Sequence, residues 1–569
     1  MYFLEKKKKF IIEKINEILG DDIADESMLT YPPASEMGDL SLPCFSLAKQ
    51  LKKNPHETAE FLLKELGIFS NNDFSLQVAG PYLNLKFSDK ILSKVLEEIF
   101  EKKDKYGRSH LGNKKRVMVE YSNVNTHKQY HIGHLRNLCY GDSVCKLLAI
   151  SGYNVIPVSY INDFGIHVAK TLWAFSEFQK SGKDISRIEN KGEFLGNLYV
   201  EATRKLKEQP HFKEVVNFLM KKIESRQGQE YKLWKKTRKW SIEQFNRIYK
   251  EMNITFEHIF YESEFIDRGL EMIEDLLDRG IFERSKGAVI ANLEKYGLGI
   301  LVILRSDGTA LYPVADIPLA QEKLEKYNLD TSIYVVDNRQ TLYFKQLFKV
   351  LELLGYKQKM IHLAYDFVKL PDGMISSRTG NIITYEDLNC KLREKIYKET
   401  HSRHPDWPQE KIEKVVNVLS VGTIKFEMLK VGADQIITFD INKALSLDGF
   451  TIAYLEYTFA RISSILRKAN NQKISCIEET PQLNEKEHCL VMMLAKYPEV
   501  VKKATKNYNP SEIAKYLFDL ARVFNDYYHQ VRILDVNKER NFRLFLIKSI
   551  KQVVGNGLEL LGIECLEEM

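Results

Sequence analysis

Two apolar runs with a helical stretch between them constrain the fold of this chain most. VMVEYS (117–122) and NVIPVSYI (154–161) are rich in β-branched residues and read as strands. Between them, LRNLCYGDSVCKLLAISGY carries helical periodicity, with Leu138, Cys145, Leu148 and Ala149 as its expected buried stripe and Gly152 at its end. A strand–helix–strand unit of this kind makes the two strands parallel, with a right-handed crossover. Parallel sheets are covered on both faces, so the unit predicts a doubly wound α/β domain. GAVIANL, ILVILRSDG and TSIYVVD are expected to continue that sheet, with PVADIPLAQEKLEKY and KQLFKVLELLGY as covering helices.

At 569 residues the chain is too long for one core. Residues 1–112 read as a small α+β unit: Ile11, Ile15, Ile18 and Leu19 recur at helical spacing, and FSLQVAG and YLNLKF alternate around Gly80-Pro81. Residues 113–395 form the expected doubly wound domain, interrupted at about 184–255 by a charged, aromatic, helical insertion. Helical periodicity then fills a connector (396–448) and an all-α bundle (449–569).

Seven cysteines are scattered with no CxxC pair, so neither a zinc ribbon nor a disulfide framework is indicated, and a reducing compartment is expected. FIIEKINEIL is amphipathic rather than a signal core, and no run approaches the ~20 apolar residues of a membrane span. A cytoplasmic protein without membrane partners is expected. The net charge of +6 does not by itself demand a polyanion, although lysine and arginine cluster at 6–9, 232–239 and 465–473.

The turn after the first parallel strand concentrates the chemistry. Glu120, Asn123, Asn125, Lys128, His131 and His134 follow one another at the carboxyl end of a strand, where open α/β sheets bind ligands. Gly133 lies at the expected helix start, where free backbone N–H groups favour an anion. Two histidines three apart also suit a metal, but no third ligand lies at metal spacing. A nucleotide phosphate site is the reading the residues favour: imidazole donors stabilise a leaving pyrophosphate, and phosphoryl chemistry needs mainly positioning and charge.

His131-Ile132-Gly133-His134 resembles the first signature of the class I aminoacyl-tRNA synthetases. The wider run, with Glu120, Asn125 and Lys128, is similar to the arginyl-tRNA synthetase family within that class. The second signature is a loop of type KMSKS, and Ile375-Ser376-Ser377-Arg378 resembles its MSSR form. Met374 stands where most class I enzymes carry a lysine; in the arginyl family a lysine before the first signature, here Lys128, takes that place. The resemblance implies ATP bound by Lys128, His131, Gly133, His134, Ser376, Ser377 and Arg378, with Lys128, His131 and His134 catalytic. It implies arginine held by Glu120, Asn123, Val124, Asn125, His134, Tyr312, Asp316 and Gln340. The family's Ser-Pro-Asn is Asn123-Val124-Asn125 here, and its histidine three residues after the glutamine is Tyr343.

By the same resemblance, residues 1–112 contact the outer corner of tRNA. The C-terminal bundle reads the anticodon, with Tyr454, Tyr457 and Arg461 as candidates, since aromatics and arginine stack on unpaired bases. The implied partners are tRNA(Arg), L-arginine and ATP with Mg²⁺, and no zinc, acting on a monomer. Attack by the 2′-hydroxyl of the terminal adenosine, and activation dependent on tRNA, are further implications. Three rivals share parts of the pattern: a synthetase for another amino acid, a small nucleotidyltransferase, and a non-catalytic tRNA-binding relative. The first unit and the long helical end argue against the nucleotidyltransferase.

Overall fold

The computed structural model describes residues 1–70, 72–371, 373–374, 383–469, 482–535 and 539–569. The N-terminal unit opens with helix α1 (Phe3–Leu19), which buries Ile11 and Ile15 and half-buries Ile18 and Leu19. Strand β1 (Leu40–Pro43) precedes helices α2 (Phe45–Leu51) and α3 (Pro55–Gly67); strands β2 (Phe74–Ala79) and β3 (Tyr82–Phe87) close an antiparallel sheet of order β1-β3-β2. Helix α4 (Asp89–Lys102) packs its apolar face, Ile91, Leu92, Val95, Leu96 and Ile99, into the core that also holds the C-terminal helices.

Strand β4 (Arg116–Glu120), helix α5 (Ile132–Ile150) and strand β5 (Asn154–Ile161) form the expected crossover, with β4 and β5 parallel neighbours. The stripe prediction for α5 is too narrow. Leu138, Cys145 and Leu148 are buried, Ala149 is exposed, and Arg136, Asn137, Tyr140 and Asp142 are buried too. The helix lies between the sheet and the C-terminal helices, so it is covered on nearly all sides. Gly141 is needed for that approach: a Cβ there would stand 2.2 Å from the Tyr121 ring.

Helices α6 (Ile166–Lys180), α7 (Lys191–Glu208), α8 (Phe212–Glu224) and α9 (Gly228–Glu251) share a separate core of Leu172, Phe175, Leu195, Leu198 and Trp234. Strand β6 (His258–Tyr261) returns to the parallel sheet. After helix α10 (Ile266–Asp278), strands β7 (Glu283–Ser285), β8 (Ala288–Asn292) and β9 (Ile300–Leu304) depart from expectation. They form their own antiparallel sheet rather than continuing the parallel one. The link from Asn292 to Ile300, with Gly297 and Gly299 at φ 71° and 66°, is too short for the crossover that parallel strands require.

Helix α11 (Pro313–Lys326), strand β10 (Thr331–Asp337), helix α12 (Thr341–Leu353) and strand β11 (Lys359–Tyr365) complete a parallel sheet of order β11-β10-β4-β5-β6. The chain leaves β4 toward β5 on one side and later returns to β10 on the other. The carboxyl end of β4 is therefore the topological switch point, the usual crevice for ligands in such sheets. Strands β12 (Val368–Leu370), β13 (Gly373–Met374) and β14 (Ile437–Thr438) make a small sheet. Helices α13 (Tyr385–Arg403), α14 (Gln409–Leu429), α15 (Ile441–Ala444), α16 (Ile452–Lys468), α17 (Glu485–Lys506), α18 (Ser511–Gln530) and α19 (Arg540–Leu560) follow. Position 395, read above as the end of the doubly wound domain, lies inside α13.

Candidate active site

Between β4 and α5 the chain turns through two left-handed residues, Ser122 and His127, both at φ 60°. The Ser122 amide donates to the Asn137 side chain from the first turns of α5, and Asn137 in turn donates 2.6 Å to the Val335 carbonyl of β10. His131 caps α5: its Nδ1 accepts the Gly133 N–H at 3.2 Å, and His134 Nδ1 accepts the His131 N–H at 3.2 Å. Both Nδ1 atoms are therefore unprotonated, so each neutral ring carries its proton on Nε2 as a donor. The rings stack at 3.8 Å. Burial, aided by the Lys128 charge, pushes His131 down to about 4, and burial with His131 and Lys128 nearby holds His134 well below the usual range. A Cβ at Gly133 would stand 3.0 Å from the His131 ring and press on this cap.

Lys128 is half-buried, with Nζ 5.4 Å from the centre of the Tyr199 ring on α7. Arg136, one turn into α5, is buried and donates to the carbonyls of Gln435 (2.7 Å), Ala433 (3.0 Å) and Gly432 (3.1 Å). The segment entering α13 is pinned to the same helix start: Ile132 N–H donates to Ile383 and Tyr385 N–H to Tyr130, at 3.2 and 2.9 Å. Ser376, Ser377 and Arg378 lie outside the described residues. Met374 pairs with Lys369 across β13 and β12, so both flanks of that loop are anchored beside α5.

On the β10 side of β4 lies a cavity of about 180 Å³. Of the residues assigned to arginine, Glu120, Asn123, Asn125, Tyr312, Asp316 and Gln340 line it. Val124 is not in that wall; it is buried in the core beneath. His134 stands with the phosphate-type donors rather than in the cavity lining. Glu120 lines the cavity with its carboxylate already engaged: Oε2 pairs with Lys323 Nζ and Oε1 accepts the Asn123 amide at 2.8 Å. That leaves Asn123 Oδ1 a buried acceptor without a partner. Tyr312 precedes the first turn of α11 and is 67% exposed, whereas Asp316 accepts the Tyr343 hydroxyl. Burial pushes Asp316 up to about 6, and burial together with Asp316 pushes nearby Glu262 up to about 8.

Lys323, Tyr343 and Glu262 are the residues that sequence reasoning missed. Lys323 is seven residues beyond Asp316, hence on the same face of α11 two turns later, and that spacing was the available signal. In the sequence Tyr343 stands only as a departure from the family's histidine. Glu262 follows the insertion and carries no local signal.

The family model described as "tRNA synthetases class I (R), catalytic domain" matches residues 95–439. "Arginyl tRNA synthetase N terminal domain" matches 5–87, and "DALR anticodon binding domain" matches 455–569. The chain belongs to the arginyl-tRNA synthetase family. Curated relatives include the arginine–tRNA ligases of Bdellovibrio bacteriovorus, 35% identical over 95% of this chain and 94% of that one, and of Halothermothrix orenii, 33% identical over the full length of both. Among solved structures, the Thermus thermophilus arginyl-tRNA synthetase superposes with a TM-score of 0.79 at 25% identity, covering 99% of this chain and 100% of that chain. That of Plasmodium falciparum gives 0.76 at 20% identity with full coverage of both. The expected architecture, a doubly wound parallel sheet with a small α+β N-terminal domain and a helical C-terminal domain, is the one this family shares.

In this synthetase-family chain the three candidate anticodon residues separate. Tyr457 is 38% exposed and accepts from Arg461 at 2.9 Å, and the guanidinium lies 4.8 Å from the Tyr528 ring. Arg461 also donates 2.7 Å to Asn525. Tyr454 is half-buried and packs against Phe518 at 5.4 Å, so it belongs partly to the core. Tyr528 is the surface ring missing from the original trio.

Proposed function

We infer that this chain activates L-arginine with ATP and transfers it to the terminal adenosine of tRNA(Arg), releasing pyrophosphate and then AMP. The observation that carries the amino-acid assignment is the charge of the cavity: Glu120, Asp316 and Asp337 line it, and with Lys323 paired to Glu120 and Arg339 to Asp337, Asp316 is left for a bound cation. Asp316, held above its ordinary range beside Glu262, gains most from a bound cation, and a guanidinium offers a planar fork to such carboxylates. The unpartnered Asn123 Oδ1 suits the α-ammonium, because a buried acceptor without a donor is otherwise costly. Gln340, Asn125 and the exposed Tyr312 ring complete the wall, with Tyr312 placed to cover the guanidinium or the incoming adenosine.

Activation proceeds by attack of the arginine carboxylate oxygen on the α-phosphorus, breaking its bond to the pyrophosphate oxygen. Charge grows on that leaving group, and the Nε2–H donors of His131 and His134 with the Lys128 ammonium are the groups assigned to receive it. Because both rings are neutral near pH 7, they act as hydrogen-bond donors rather than as acids. Ser376, Ser377 and Arg378 belong to the same phosphate site by resemblance. In the second step a ribose hydroxyl, the 2′ by family resemblance, attacks the adenylate carbonyl and AMP departs. Among the described residues no group of three or more His, Cys, Asp or Glu side chains is arranged to hold a metal ion, so Mg²⁺ is read as arriving with ATP.

Tyr457, Arg461 and Tyr528 form the surface proposed for unpaired anticodon bases, and residues 1–112 the one for the tRNA corner. We read the chain as a cytoplasmic monomer; among the described residues no helix is long and apolar enough to cross a membrane. Charging of total tRNA with each labelled amino acid tests the assignment. Arginine alone should become acid-precipitable, and charging by any other amino acid in its place would overturn it.

A further inference from the structure

We propose that His127 is the positioning residue for Lys128, fastening the turn to the helical insertion and so setting where the lysine ammonium stands. The proposal rests on the reading of Lys128 as a phosphate contact. His127 is fully buried, and every polar group it owns has a partner. Its N–H donates 3.0 Å to Ser241 Oγ on α9, and its carbonyl shares the Thr171 hydroxyl of α6 with the His167 carbonyl, each at 3.1 Å. Nε2 lies 2.8 Å from Thr237 Oγ1 on α9, and Nδ1 2.9 Å from Thr126 Oγ1.

One assignment of the protons uses every contact. When the Thr237 hydroxyl gives its proton to the Leu233 carbonyl at 2.9 Å, it accepts from the ring, and Nε2 carries the hydrogen. Nδ1 is then the acceptor for the Thr126 hydroxyl. The neutral ring satisfies both of its contacts, and burial, with Arg238 a lesser cause, pushes it down to about 3, so it is uncharged near neutral pH. The left-handed φ of 60° at His127 costs a non-glycine residue on the order of 1 kcal/mol, and these bonds hold the residue there. The next side chain is Lys128, which lies against Tyr199 of the same inserted helices. The insertion therefore grips the turn just before the lysine and at the lysine itself, through hydrogen bonds at 127 and a ring at 128.

The test is ATP–pyrophosphate exchange with the full chain, arginine and tRNA, in a double-mutant cycle. His127→Leu and Thr237→Val should each lower kcat on the order of tenfold while the KM for arginine stays within about twofold. His127→Gln, whose amide can still donate toward Thr237, should recover most of the rate. In a Lys128→Ala background, Thr237→Val should cost nothing further, because its effect acts through the lysine. If His127→Leu fails to fold by circular dichroism, Thr237→Val carries the same cycle. Additive losses, or arginine KM rising as far as kcat falls, would overturn the proposal and leave the role of Lys128 standing. A near-normal kcat for Lys128→Ala alone would instead remove the reading on which the proposal rests.

Discussion

Lys323 on α11 forms a buried ion pair with Glu120 at the end of β4, so the carboxylate nearest the signature turn is already neutralised before any substrate arrives. Their side chains are 1% and 4% exposed. Breaking such a pair from one side leaves an uncompensated buried charge, which costs roughly 3–5 kcal/mol. Lys323→Met should therefore lower the denaturant midpoint sharply. The double variant Lys323→Met with Glu120→Gln should regain most of that loss. Equal destabilisation by single and double variants would contradict this.

Asp316 is left as the carboxylate available to a guanidinium. Asp316→Asn should raise the arginine KM by about a hundredfold or more, the scale of a buried charged hydrogen bond, with ATP KM little changed. Tyr343→Phe removes the hydroxyl that Asp316 accepts and should shift arginine KM far less. Steady-state kinetics on both variants decides it; a larger effect for Tyr343→Phe would make Asp316 structural.

Arginine affinity should depend on pH with a definite sign. A carboxyl raised to about 6, as Asp316 is, or to about 8, as Glu262 is, holds its proton below that pH. A guanidinium favours the ionised form, so below about 6 for Asp316, and below about 8 where Glu262 ionises with it, binding strengthens as pH rises and releases protons. Calorimetry in buffers of different ionisation enthalpy reads the release directly. Affinity that is flat across this interval, with no buffer dependence, would contradict the cation-site reading.

How much of this was legible in the chain depended on distance along it. The β4–α5–β5 unit showed in its periodicity, and the turn showed in its density of polar groups. The β8–β9 pair was misread because an apolar run carries no direction; the short link with Gly297 and Gly299 was the only clue. Lys323 sits at a two-turn interval from Asp316, but a lysine among apolar residues usually reads as a solvated edge. The His127 clamp could not be seen, since Thr237 lies 110 residues away. Asn123 was legible as a polar turn residue, while its orphaned oxygen exists only once Glu120 has taken the amide.

Glu456, on the helix that carries Tyr457 and Arg461, gives a stability prediction. It is fully buried, accepts the Leu566 N–H at 2.8 Å, and keeps its other oxygen without a partner. Burial pushes it up to about 8 from an ordinary 4.5. The folded state thus holds this proton more tightly than the unfolded chain, and the stability it supplies is lost as pH rises from about 4.5 to 8. Glu456→Gln should melt above the parent chain at pH 8, with the gap closing toward pH 5; no pH dependence in that gap would contradict the assignment.

The central claim is that one end of β4 brings a cavity for a cation together with a phosphate site, making an arginine-activating enzyme. ATP–pyrophosphate exchange with each amino acid in turn, with and without tRNA, measures that most directly. The account predicts exchange with arginine alone, and only when tRNA is present. Exchange driven by a different amino acid, or none with arginine and tRNA, would contradict it.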